Sequence, residues 1–213
     1  MNKDESIITY HVTQCYLEMA RAVYTKWCLP TAKQFSSDRE LKTLVGQFSF
    51  LIVSLTVIYS YLAIEAWANY YLHEIWRKSR FNSGKKYPAF PQKYRQINEF
   101  TKLKDTELKE LKERIKVLCD SYQIPRIDRS NPKLWRDFND LLEETRHFII
   151  HPFPDPKKFQ ECMEIVQEKH GLRKWSKIAE QVISHFFINK DKKLPNWLRQ
   201  NEFFAIKGFE LVR

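Results

Sequence analysis

The chain has 213 residues and a formal net charge of +10, from 36 Lys and Arg against 26 Asp and Glu. This length can bury one substantial core, and the positive charge favours encounter with a polyanion such as RNA, DNA or an anionic membrane surface. The four cysteines are widely separated and include no C-x-x-C pair, which excludes a motif-type zinc site and fits reduced thiols in a cytoplasmic protein. The polar start, M-N-K-D-E-S, predicts no signal peptide.

Only four glycines occur in the whole sequence, which leaves few places for hairpin turns and predicts an all-α fold. Proline and capping residues set the helix boundaries. The first helix is predicted from about Ser6 to Trp27, ahead of a proline. The second begins after Ser37, which has capping-box spacing to Glu40, and continues to about Ser79.

An uncharged stretch in the second helix, Leu44 to Ile64, is long enough to cross a hydrocarbon layer. Polar side chains dilute it, namely Gln47, Ser49, Ser54, Thr56, Tyr59, Ser60 and Tyr61. The helical pattern also continues past its end, through Glu65 and Asn69. We therefore interpret it as the central helix of a soluble bundle, with a membrane helix as the weaker alternative.

The segment from Arg80 to Pro91 combines turn formers with basic and aromatic side chains, which predicts a loop. Its residues Lys85, Lys86 and Tyr87 are candidate RNA contacts, because lysine can touch phosphate and tyrosine can stack on a base. An ordinary solvated connector accounts for the same composition at least as well.

A third helix is predicted from Thr106 to Leu118, where apolar residues at helical spacing alternate with Glu/Lys pairs. This pattern indicates a surface helix that covers the core. In the fourth helix Asn131 is the predicted cap, Pro132 takes the first helical position and Pro152 marks the end.

Two further helices are predicted, at about 156–170 and at about 172–189, before a C-terminal tail that is aromatic and irregular. The chain is thus divided into an N-terminal helical extension at 1–36, a helical bundle at 37–190 and the tail at 191–213.

The fourth helix ends in L-L-E-E-T-R-H-F-I-I-H-P, which places Arg146, His147 and His151 directly before Pro152. On a continuous helix Arg146 and His151 would lie about 140° apart, at the usual 100° per residue, and would not share a site. Because the residue before a proline avoids helical backbone, the last turn can unwind and return His151 to the side of the guanidinium.

These residue types suit metal-independent cleavage of RNA. A base must remove the 2′-OH proton, a cation must stabilise the crowded phosphate, and an acid must protonate the leaving oxygen. Histidine titrates close enough to neutral pH for either proton role, and arginine offers a fixed fork of donors to phosphate oxygens. One helix end supplies only part of this set, so the hypothesis requires two copies whose helix ends face one cleft.

The same helix end is also compatible with a purely structural role or with a metal site. Cations at a helix C-terminus interact favourably with the helix dipole, by a few tenths to about 1 kcal/mol. His147 and His151 are spaced by four and could share a metal ion, but no third ligand stands at motif spacing. We therefore expect no metal and no other cofactor.

A polar stripe follows the second helix at a spacing of four residues, namely Tyr61, Glu65, Asn69, His73 and Arg77. The solvated face of an amphipathic helix accounts for such a stripe. Glu65 is nevertheless the first charge after the uncharged run, and a carboxylate buried in a bundle needs a partner, for which Arg146 is the candidate. Asn69, one turn further on, is a candidate RNA contact.

The stretch R-H-F-I-I-H, from Arg146 to His151, resembles the signature of the HEPN superfamily (higher eukaryotes and prokaryotes nucleotide-binding). That signature is an arginine, often followed by Asn, His or Asp, and then a histidine after four to six intervening residues. The stretch S-Y-L-A-I-E-A-W-A-N-Y-Y, which contains Glu65, is similar to the family's earlier core helix with its acidic residue. The resemblance covers roughly 41–185. It implies an all-helical bundle that dimerises across the motif and, in many members, a metal-independent endoribonuclease of toxin–antitoxin or phage-defence systems.

The chain departs from the family at one position. In the branch that pairs with a nucleotidyltransferase antitoxin, a tyrosine two residues after the motif histidine is the modified group. Phe153 occupies that place here, so neutralisation by modification of this position is not carried over. The identity of any antitoxin or defence-complex partner stays open.

The sequence thus predicts an all-α, HEPN-like, homodimeric and cytoplasmic endoribonuclease that acts as a toxin or anti-phage defence effector. Its predicted catalytic residues are Arg146 for phosphate stabilisation, His151 as general acid or base and His147 as a neighbouring polar contributor. By the resemblance, Glu65 would orient the arginine. The first alternative is a non-catalytic HEPN-like protein that binds RNA or serves as a scaffold, and the second is a membrane-associated helical protein.

Overall fold

The structure is a computed structural model that describes residues 3–22, 39–81, 90–150, 171–195 and 198. Helices dominate these ranges, and none of the described residues lies in a β-strand, so the all-α prediction is confirmed. The longer helices are α1 (Lys3–Ala22), α2 (Arg39–Phe81), α3 (Leu111–Ser121), α4 (132–150) and α5 (Gly171–Asp191).

Short helical turns fill the connections around α3. Those before it are Gln92–Arg95, Phe100–Asp105 and Glu107–Lys109, and Ile127–Ser130 follows it. Within the described ranges, no helix is both long enough and apolar enough to cross a membrane.

The central element is α2, which is about 65 Å long at 1.5 Å per residue. The four other long helices all contact it, α1 and α5 most extensively. Its apolar side chains are accordingly buried at short intervals along its length, including Val53, Val57, Ile64, Trp67, Ala68, Leu72 and Ile75. The later part of the uncharged run, from Val53 to Ile64, therefore packs into the core of a helical bundle, as the sequence predicts.

The polar stripe of α2 is half-covered and not a fully solvated face. Tyr61 is buried, whereas the other four stripe residues are half-buried. The ring of His73 contacts the ring of Phe100 edge-on at 4.9 Å between centroids. The connection before α3 thus covers part of the stripe, and Arg146 of α4 lies over Tyr61.

Aromatic rings join α2 to α5 at the middle of the core. Trp67 and Tyr71 contact Phe186, with ring centroids 5.2 Å and 4.7 Å apart. α1 packs into the same core through Leu17, which is fully buried. α1 is further tied to α5 because Arg21 Nε donates to Glu180 Oε1 at 2.7 Å.

The middle of α4, Asp137–Glu143, is π-helical. The buried residues Leu134, Phe138 and Leu142 are spaced by four and form the inward face of this part of α4. Such π turns are rare and occur frequently at functional sites.

The boundary predictions hold for α2, whose ends lie within two residues of those predicted. They also hold for the start of α4, where Asn131 Oδ1 accepts from the Leu134 amide at 3.1 Å and Pro132 takes the first position. The predicted helix start at Thr106 is wrong. Thr106 Oγ1 instead accepts from the Leu108 amide and caps a 3₁₀ turn, so α3 begins only at Leu111.

Several predictions concern residues outside the described ranges. The end of the first helix beyond Ala22, most of the loop before Pro91 and the predicted helix at about 156–170 are among them. In the C-terminal tail, Leu198 is described and is buried in the core.

The π segment gives a test of the packing. Replacing Phe138, which is fully buried, with alanine leaves a cavity and should lower the free energy of unfolding by about 3–5 kcal/mol. Ile188→Ala on exposed α5 surface is the control and should change it by no more than about 0.5 kcal/mol. Urea unfolding followed by circular dichroism measures both, and equal effects would contradict the burial described for Phe138.

Candidate functional site

Arg146 lies in the last segment of α4, Glu144–Ile150, and covers an aromatic ring of α2. Its guanidinium carbon is 4.6 Å from the ring centroid of Tyr61. Tyr61 is only 6% exposed, so the ring forms a fixed surface. A cation–π contact of this kind is worth about 1–2 kcal/mol when it is desolvated. It therefore holds the guanidinium in place against the long helix.

The Tyr61 ring keeps its hydroxyl proton under all physiological conditions. Burial, assisted by the carboxylates of Glu143 and Glu65, raises the pKa of Tyr61 to about 12, against the opposing effect of Arg146 and Arg114. The phenol is therefore neutral at pH 7, and its ring supports the cation without cancelling its charge.

Glu65 is bonded to a different arginine from the one expected. Its Oε1 accepts from Arg114 Nη1 at 3.2 Å, and the same nitrogen donates to Asn69 Oδ1 at 2.7 Å. The expected pairing of Glu65 with Arg146 is thus replaced by an ion pair with α3. Asn69, a predicted RNA contact, is likewise committed to Arg114.

Arg114 makes four hydrogen bonds from a position that is only 5% exposed. Besides the two side chains of α2, its Nε donates to the carbonyl of Leu108 and its Nη2 to that of Lys109, both at 2.8 Å. A desolvated guanidinium needs this full set of acceptors, and its rigid fork can reach them together. Arg114 therefore fixes the start of α3 against α2.

The sequence contained a signal for the inward direction of Arg114. It stands three residues after Leu111 and four before Leu118, and both leucines are buried. Helical spacing alone therefore places it in the apolar stripe of α3. Because the segment is rich in Glu and Lys, Arg114 was read as one more exposed charge of a surface helix.

A cleft of about 580 Å³ lies beside Arg146, between α3 and α4. Its lining combines Lys112 of α3 with seven residues of α4, namely Asn139, Asp140, Glu143, Glu144, Arg146, His147 and Phe148. The π-helical segment supplies the first three of these α4 residues. The motif residues Arg146 and His147 thus both line this cleft.

The cleft is acidic, although the chain as a whole is basic. Asp140, Glu143 and Glu144 face Lys112 and Arg146. Burial raises the pKa of Glu143, partly offset by Lys112 and Arg146. Repulsion by the carboxylates would therefore keep a run of phosphates out of most of the cleft, and attraction is concentrated at Arg146.

Lys112 contributes less free positive charge than its position suggests. Its Nζ lies 3.0 Å from Glu110 Oε2, and this hydrogen bond raises the pKa of Lys112. The lysine at the rim is thus already paired with a carboxylate. This leaves Arg146 as the stronger anchor for a phosphate in the cleft.

The remaining predicted site residues have different outcomes. His147 is exposed and lines the cleft. His151 lies outside the described residues, and so do Lys85, Lys86 and Tyr87. In the part of the chain that the structure describes, no group of three or more His, Cys, Asp and Glu side chains is arranged to hold a metal ion.

Comparisons of this chain with protein-family models, with curated proteins and with solved structures give no significant match.

The role of Arg114 can be tested by unfolding experiments. Arg114→Ala leaves Glu65, Asn69 and two carbonyls without their donor and should lower the free energy of unfolding by about 3 kcal/mol. Arg114→Lys keeps the charge but not the fork, so it should recover only part of that loss. Lys116→Ala on the same helix should cost less than about 1 kcal/mol, because its ion pair with Glu113 is partly exposed. Full stability of Arg114→Ala would contradict the assigned role.

Proposed function

We propose that this chain is a HEPN-type, metal-independent endoribonuclease that acts as a toxin or anti-phage defence effector. The observation that carries the proposal is the setting of Arg146. Its guanidinium is braced by a neutral buried ring and opens into a cleft that also receives His147. Among the described residues no ion pair joins Arg146 to a carboxylate, so the ring face holds the guanidinium while its donors can serve a phosphate.

In the proposed reaction, a base takes the proton of the ribose 2′-OH and the resulting oxygen attacks the adjacent phosphorus. The bond from phosphorus to the 5′-oxygen breaks, and an acid gives that oxygen a proton. Arg146 stabilises the charge on the non-bridging oxygens. His151 acts as acid or base, and His147 serves as a polar contributor. The second histidine of each reaction comes from the partner copy in a homodimer.

The contacts of Glu65 change its part in this proposal. It pairs with Arg114, so its influence on Arg146 is indirect and passes through the position of α2 and its Tyr61 ring. Glu65 is consequently a positioning residue. The proposal includes a cytoplasmic location and an antitoxin or defence-complex partner, for which the sequence supplies the argument.

One observation favours the non-catalytic alternative. Carboxylates outnumber cations in the cleft, which disfavours entry of an RNA backbone at the proposed catalytic site. In that alternative, RNA would bind elsewhere on the basic protein and would stay intact.

Cleavage of labelled single-stranded RNA in EDTA tests the proposed activity. The wild type should cut, and Arg146→Ala and His151→Ala should each reduce the rate by about 100-fold or more, since each removes transition-state charge stabilisation or proton transfer. Lys177→Ala, on exposed α5 surface, should cut like the wild type. Equal cleavage by all four proteins would refute the site, and binding without cleavage by the wild type would favour the alternative.

The brace under Arg146 can be tested with two substitutions of one residue. Tyr61→Phe keeps the ring and should cleave at nearly the wild-type rate, whereas Tyr61→Leu removes the cation–π contact and should be slower by about 10-fold. The NMR signal of Arg146 Nε–H reports the position independently, because a ring below it shifts the proton. The idea fails if the leucine variant matches the phenylalanine variant in both measurements.

A further inference from the structure

Glu143 is a half-buried carboxylate in the wall of the cleft. It is the last residue of the π-helical segment, and regular α-helix resumes at Glu144. Arg146 and His147 follow it by three and four residues, and at these spacings side chains on a helix are neighbours. All three line the cleft. One turn of α4 therefore presents a carboxylate, a guanidinium and an imidazole to the same ligand.

Glu143 differs from the other two carboxylates of the cleft in its exposure. Asp140 and Glu144 are exposed, so water stabilises their charge. Burial raises the pKa of Glu143, and a carboxylate with a raised pKa accepts a proton more readily than an exposed one. General bases work best when their pKa approaches the operating pH. Glu143 is thus the carboxylate of the cleft best suited to take a proton.

No ion pair among the described residues includes Glu143. Lys112, the cation that α3 contributes to the cleft, pairs with Glu110 instead. On the side of α2 the carboxylate acts on the hydroxyl of Tyr61, which is neutral. The charged groups that act on Glu143 itself are Lys112, Glu110, Arg146 and Glu144. A half-buried carboxylate without an ion pair is costly for stability and is typical of functional sites.

We propose that Glu143 is the general base of the cleavage reaction and removes the proton of the ribose 2′-OH. This assignment rests on the proposed function, in which it replaces the second histidine as the base. A motif histidine then acts as the acid. The base and the phosphate-binding arginine lie on one helix of one protomer, so that part of the site is complete without a partner copy.

The proposed step balances without a further reactant. The 2′-OH gives its proton to the Glu143 carboxylate, and its oxygen forms a bond to phosphorus. The bond from phosphorus to the 5′-oxygen breaks, and that oxygen takes a proton from the protonated histidine. The products are a 2′,3′-cyclic phosphate and a free 5′-hydroxyl. Proton exchange with water then returns both side chains to their starting states.

Cleavage kinetics of Glu143→Gln in EDTA test the assignment. Glutamine is nearly isosteric but cannot take the proton, so kcat should fall by about 100-fold or more while KM does not rise. Glu143→Asp keeps a carboxylate and should recover part of the rate. The control is Glu99→Gln, which removes the same charge from an exposed position outside the cleft and should cleave like the wild type.

The pH dependence of kcat/KM gives a readout that a structural role would not change. Glu143 must be ionised to act, so the wild-type rate should fall as the pH drops through its pKa, which burial holds above the ordinary value of a glutamate. This acidic limb should be lost in Glu143→Gln. Glu144→Gln changes the charge of the cleft by the same amount and should keep the limb.

The outcomes separate the base from the nuclease activity itself. If the wild type cuts and Arg146→Ala does not, but Glu143→Gln keeps the rate or the acidic limb, the base is refuted and the proposed function stands. Loss of the limb in both Glu143→Gln and Glu144→Gln would also refute it. No cleavage by the wild type would remove the base together with the nuclease. Circular dichroism checks the fold of Glu143→Gln, and if that variant unfolds, an acidic limb that is unchanged in Glu143→Asp refutes the base.

Discussion

The burial of one guanidinium, that of Arg114, is the constraint on which the rest of this structure depends. A charged group removed from water must keep all its hydrogen-bond partners, and those of Arg114 are two side chains of α2 and two carbonyls before α3. These bonds fix the relative position of α2 and α3. Since α3 carries Lys112 into the wall of the cleft, the same buried cation that organises the bundle also determines the shape of the site.

The use of Glu65 by Arg114 has a chemical consequence for Arg146. A carboxylate partner would orient Arg146 but would also compete with phosphate for its donors. Tyr61 orients it through the face of a ring whose hydroxyl stays protonated, so the guanidinium is held and its charge is retained. Structural charge pairing thus falls to the nearly buried Arg114, and the proposed ligand contact falls to Arg146 at the cleft.

The sequence predicted α2, the start of α4 and the place of Arg146 near a helix end, because apolar periodicity, an Asn cap and proline are local signals. It did not predict the partner of Glu65. Periodicity shows which face of a helix is buried, but the choice between Arg114 and Arg146 depends on how α3 and α4 pack against α2. The π turn was not predicted either, because the spacing of Leu134, Phe138 and Leu142 by four is equally that of a regular α-helix.

The distribution of charge matters more here than its sum. A net charge of +10 favours encounter with polyanions, but at contact range the carboxylates of the cleft act on any ligand that enters. Within the cleft, Arg146 is better placed than Lys112 to hold a phosphate, because Lys112 is already paired with Glu110. Asp140, Glu143 and Glu144 suit N–H donors such as those of a base, since carboxylates accept hydrogen bonds and repel phosphate. Under the proposed function, this division of charge favours an unpaired strand, whose bases are free, over a duplex.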